Sequence, residues 1–166
     1  VPDRRGQAGF DLELMDELLL DALGDLDVEL WLEPGRYLAA ESGVLLSRVT
    51  QLKSKGQCNY LGIATGMNSL IRPALYGAYH DIVNLSRLGV EATQHLRVVG
   101  PICESGDVIG ESRLLPESAE GDVLLIANAG AYGRVMASHY NRRTPAEELL
   151  LPVDETKPGQ RPSKRM

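Results

Sequence analysis

Apolar positions along this chain follow two different periods, and the change of period divides it. In FDLELMDELLLDALGDL, Leu12, Met15, Leu19, Ala22 and Leu23 recur in helical steps, with acidic residues early and Gly24 near the end. The stretch predicts one amphipathic helix. VELWLEP, which follows, is a short and mostly apolar run stopped by Pro34, and it predicts a strand leading into a loop that carries Gly35 and Arg36.

From Tyr37 the texture changes to short apolar or alternating runs separated by turn residues: YLAAESGVLLSRVTQL, NYLGIA, HDIVNL, HLRVVGP, DVIGESRLL and DVLLIANAG. Strands at this spacing predict a β-sandwich or barrel, with the lysine-bearing KSKGQ at a hairpin tip. A helical pattern returns only weakly, in IRPALYGAY and AEELL. The stretch after Pro152 is rich in proline and charge and has little to bury, so residues 153–166 are expected to form a disordered tail.

The expected architecture is therefore mainly β. Residues 1–36 form an α/β piece, residues 37–152 a β-barrel domain, and the tail follows. One helix and one strand cannot complete a layer by themselves, so the opening reads as the last piece of a larger α/β domain.

Bulk properties narrow the function. A chain of 166 residues with 43% apolar content can bury one sizeable core. No apolar run approaches the roughly 20 residues that cross a bilayer, and the first residues lack the apolar stretch of a secretory signal, so a cytoplasmic location is expected. The net charge of −6 argues against general attraction to nucleic acid or to anionic membranes. Cys58 and Cys103 belong to no metal-ligand spacing, so no metal site is expected and both read as free thiols. The four lysines, Lys53, Lys55, Lys157 and Lys164, all fall where solvent is expected. Arginines instead enter apolar contexts, where a guanidinium fork suits a fixed grip on carboxylate or phosphate.

Four islands carry candidate chemistry. LEPGRYLA places Gly35 and Arg36 just after the expected strand, where α/β folds hold ligands. In GMNSLIRPALYGAY, Tyr76 follows Arg72 by one helical turn, so guanidinium and phenol could donate to one carboxylate; an Arg–Tyr stack is the alternative. GPICESGDVIG gathers Cys103, Glu104, Ser105 and Asp107 between glycines, which suits either a reactive site or a polar turn. IANAGAYGRV ends a strand in small residues and exposes Tyr132, either to a flat ligand or as a barrel cap.

In this order, EPGR, GMNSLIRPALY, GPICESGD and NAGAYG resemble the C-terminal part of the diaminopimelate decarboxylases, pyridoxal-phosphate enzymes that make L-lysine, over roughly residues 10 to 150. EPGR and the cysteine motif are similar to related decarboxylases of ornithine and arginine as well; RPALY and the glutamate after the cysteine narrow the likeness. The resemblance implies an alanine-racemase-like (β/α)8 barrel that carries the cofactor, a C-terminal β-barrel that completes the site, and a head-to-tail homodimer. It puts Glu33, Pro34, Gly35 and Arg36 beside the cofactor phosphate. Arg36, Arg72 and Tyr76 would grip the distal carboxylate of meso-2,6-diaminopimelate, and Glu104 its distal ammonium. Cys103 would deliver the proton that replaces CO2, and Tyr132 would touch cofactor and substrate. Cys103 and Glu104 would enter the partner subunit's site.

Those residue types suit the reaction, because the protein must place the departing carboxylate, recognise a far end bearing both charges, and supply a proton. The family's cofactor lysine and glycine-rich phosphate loop have no counterpart in this sequence, which implies that the chain alone is inactive. Two other readings stay open: a decarboxylase of ornithine, arginine or carboxynorspermidine, and a β-barrel interaction module with no catalysis.

Overall fold

The computed structural model describes residues 6–151; the expected tail lies outside them. Helix α1, Leu12–Leu23, starts where the pattern predicts, because the Asp11 carboxylate accepts the N–H groups of Glu13 and Leu14 at 3.1 and 3.0 Å. None of its residues is buried.

The expected strand at VELWLEP does not form: residues 27–34 have no regular structure, and Trp31 is 80% exposed. A strand holds only when a neighbour pairs its backbone, and no described strand lies alongside this one. Gly35 and Arg36 do not sit in a loop either. They open a short helix α2, Gly35–Ala39, which passes into a 3-10 turn over Ala40–Ser42. The first part of the expected strand YLAAESGVLLSRVTQL is thus helical, since YLAAES lacks β-branched residues and Ser42 Oγ donates back to the Ala39 carbonyl at 2.8 Å.

Strands follow from there: β1 Leu45–Lys55, β2 Cys58–Ile63, β3 Ile82–Asn84, β4 Gln94–Val99, β5 Val108–Leu115 and β6 Val123–Ile126. They form one sheet in the order β3-β6-β1-β2-β4-β5. All pairs are antiparallel except β2 with β4. The predicted hairpin joins β1 to β2, with Lys55 opposite Cys58 and Gly56 at φ +61° in the tip.

The outer strands curl towards each other. Gly110 of β5 faces Ile82 of β3 so closely that a Cβ there would stand 2.9 Å from the Ile82 methyl, and the sheet becomes a nearly closed barrel. Val49, Leu61, Ile63, Ile82, Leu96, Val98, Ile109, Leu115, Leu124 and Ile126 fill it. Burying each such side chain stabilises by about 1.5–3 kcal/mol.

At the β3–β6 seam, one oxygen of Asp122 accepts Asn84 Nδ2 at 3.0 Å, Arg87 Nε at 3.1 Å and the Ala119 N–H at 2.9 Å. Burial pushes this carboxyl up, but the bonds from Asn84, Ala119 and Arg87, with the Arg87 charge, outweigh it and hold it below its ordinary value. AEELL is not helical, and Leu149, Leu150 and Leu151 stay exposed.

Candidate active site

The GPICESGD loop leaves β4 and is fixed by its own aspartate. The buried Asp107 carboxylate accepts the N–H of Met67 at 2.6 Å and of Ile102 at 2.7 Å, and the Asp107 carbonyl accepts the Gly100 N–H at 3.0 Å. A Cβ on Gly66 or Gly100 would fall onto that carboxylate, so the approach requires glycine on both sides. Asp107 thus organises the turn, while Cys103 and Glu104 are displayed at the surface. One Glu104 oxygen accepts the Gly106 N–H and the other the Tyr140 hydroxyl, both at 3.3 Å.

GMNSL stitches this loop to the last segment of the domain. The Asn68 carbonyl accepts the Ser138 N–H at 2.9 Å, Asn68 Nδ2 donates to the carbonyls of Arg143 and Thr144, and Ser69 Oγ accepts the Ala146 N–H at 2.9 Å. Within the segment so held, Asn141 and Arg142 both take left-handed backbone angles, φ +55° and +58°. Such conformations persist where surrounding contacts enforce them.

Helix α3, Arg72–Tyr76, carries the second island. Pro73 suits its first turn, and Gly77 ends it at φ +62°. The two residues expected to share a ligand differ in depth: Arg72 is 9% exposed and Tyr76 63%. Arg72 Nη1 lies 3.5 Å from Nε2 of the buried His80, whose Nδ1 lies 2.8 Å from the Ala127 carbonyl oxygen.

The first and fourth islands meet. Tyr132 is half-exposed and held at φ +58°, a conformation that costs a non-glycine residue about 1–3 kcal/mol. Its hydroxyl stands over Gly35, 3.2 Å from where a Cβ would be. Gly130 seats this loop against the Ala39 carbonyl, Ser42 and Gly43. Arg36 is half-buried beside the pair, while Glu33 and Pro34 are exposed. A guanidinium and a phenol form a donor set that fits a phosphate monoester.

The resemblance named neither His80, nor Asn68, nor Tyr140. His80 is one of three scattered histidines in the sequence, and Tyr140 sits in SHYN, which has no distinctive spacing. Both acquire partners only through the fold.

The model of the pyridoxal-dependent decarboxylase C-terminal sheet domain matches residues 17–130, a span that includes the buried arginine, the Cys103 loop and the Gly130 turn. The chain belongs to this family. It is 45% identical over 128 residues to a diaminopimelate decarboxylase of Archaeoglobus fulgidus, covering 77% of this chain and 30% of that protein. It is 41% identical over 154 residues to one of Aquifex aeolicus, covering 90% and 35%. Among solved structures, the diaminopimelate decarboxylase of Helicobacter pylori complexed with L-lysine superimposes with a TM-score of 0.73 at 36% identity, over 82% of this chain and 34% of that one. The chain thus spans about a third of the length of these relatives. No helix among the described residues is long and apolar enough to cross a membrane.

Proposed function

We propose that this domain completes the active site of a cytoplasmic enzyme that converts meso-2,6-diaminopimelate to L-lysine and CO2, the last step of lysine biosynthesis. Residues 1–36 then close a cofactor-bearing (β/α)8 barrel and residues 37–152 form the β domain beside it. The uncovered apolar side chains of α1, Leu12, Leu14, Leu18 and Leu20, support a barrel neighbour.

What carries the reading is Arg72. Its guanidinium is buried, faces an imidazole, and among the described residues pairs with no carboxylate. Burying a cation without an anion is costly, so the position suits an anionic group brought by a ligand. Arg72, with Tyr76 and Arg36, takes the distal carboxylate of the substrate. Glu104 takes the distal ammonium, with its carboxylate oriented by Gly106 and Tyr140.

Pyridoxal phosphate, when bound, supplies the sink for the electron pair left as CO2 departs. Glu33, Pro34, Gly35, Arg36 and Tyr132 hold its phosphate side. Cys103 Sγ delivers a proton to the carbon that lost the carboxylate, and its exposure suits entry into the site of a second subunit in a homodimer.

Initial rates of CO2 release by the pyridoxal-phosphate-loaded enzyme test this. Meso-diaminopimelate is expected to exceed ornithine, arginine and lysine in kcat/KM by about 10³-fold or more, since those substrates leave buried charge unpaired. Comparable rates with any of the three would overturn the assignment.

A further inference from the structure

We propose that His80, held as a neutral imidazole, is the positioning residue for Arg72. The inference rests on Arg72 binding the substrate carboxylate, as argued above. His80 is entirely buried, and it reaches Arg72 because Gly77 turns the chain back sharply at the end of α3.

Both ring nitrogens have assigned roles. The Ala127 carbonyl can only accept, so Nδ1, 2.8 Å away, carries the hydrogen. A neutral ring protonated at Nδ1 keeps its lone pair on Nε2, the atom that faces Arg72 Nη1 at 3.5 Å. Arginine only donates, so these partners select one tautomer. A proton on both nitrogens would set N–H against N–H and one positive charge against another, away from water.

The ring also joins two parts of the site. Ala127 opens the loop that carries Tyr132, and its own N–H donates to the carbonyl of Asp81, the residue after His80, at 2.9 Å. One imidazole therefore couples the guanidinium to the loop that holds the tyrosine. An apolar side chain could fill the same volume but would leave the guanidinium free to swing and the Ala127 carbonyl without this donor.

Two amide substitutions separate these bonds in the loaded enzyme. In His80→Gln the amide reaches the position of Nε2 and can accept from Arg72; in His80→Asn it reaches only the position of Nδ1 and keeps Ala127 alone. His80→Asn is expected to raise KM for meso-diaminopimelate by about tenfold with kcat within about twofold, while His80→Gln stays near wild type. Equal KM values for the two variants, raised or not, overturn the inference. Arg72→Lys in the same assay tests the underlying reading. Unchanged KM for Arg72→Lys sinks that reading, whereas raised KM for Arg72→Lys beside unchanged KM for His80→Asn sinks only the role of His80. A readout independent of turnover is the imidazole ¹⁵N spectrum of this chain at neutral pH. The Nδ1–H tautomer is expected; the Nε2–H tautomer or an imidazolium overturns the proposal, including when His80→Asn does not fold.

Discussion

The Tyr140 hydroxyl donates to a carboxylate oxygen of Glu104 across 36 positions of sequence, at 3.3 Å. The bond ties the cysteine loop to a segment that contains the left-handed Asn141 and Arg142 and is bonded by Asn68 just beyond them. Tyr140→Phe should therefore loosen Glu104 without removing its charge. Steady-state kinetics are expected to show KM for meso-diaminopimelate raised about three- to tenfold with kcat nearly kept, and Glu104→Gln should raise KM further. If Tyr140→Phe and wild type share one KM, Tyr140 does not set the carboxylate.

As the proposed proton donor, Cys103 would act on the chemical step. Cys103→Ala should lower kcat by about 10²-fold or more while substrate binding is largely retained, as expected for loss of a positioned acid. Mixing that variant with a subunit lacking the cofactor lysine should return roughly a quarter of wild-type activity, because about half of randomly assembled dimers are mixed and each has one intact site. Confirmed subunit exchange without recovery would place Cys103 at its own chain's site or at none.

Gly100 sits against the Asp107 carboxylate and the Gly66 backbone. Gly100→Ala is expected to destabilise the domain by about 1–3 kcal/mol, because rigid backbone and a buried, doubly bonded carboxylate cannot both give way. Urea unfolding measures it, and a midpoint equal to that of wild type would show that the loop yields.

Asp122 makes stability depend on acidity. Its folded-state pKa is lowered, so its contribution is complete above the ordinary carboxylate range and is lost as pH falls through the lowered value. Thermal unfolding between neutral pH and pH 2 should show Tm falling at the acid end, and falling less steeply in Asp122→Asn. Parallel curves for the two proteins would assign the acid sensitivity to other carboxylates.

The β half was legible because its strands are short, punctuated runs whose partners lie within the same stretch of chain: HLRVV, DVIGESRLL and DVLLI each became a strand. VELWLEP failed for the complementary reason, since apolar content does not by itself supply a pairing neighbour. The strand expected over residues 37–42 failed because alternation over so few residues cannot distinguish strand from helix. In the site, Cys103, Glu104, Arg72 and Tyr132 stood out through motif composition. The roles of Asp107, Asn68, His80 and Tyr140 did not, because each is defined by a bond to a residue remote in sequence, and a lone polar residue carries no mark of its future partner.

Trp31 is the chain's single tryptophan, and it stands almost wholly in water on the unpaired segment before Pro34. That makes the segment its own optical probe. Excited selectively, the indole should emit at the red end of its range and be quenched readily by iodide. A surface settling over residues 27–34 would draw the emission to the blue and shield it, so association with a barrel neighbour could be followed in real time with no added label.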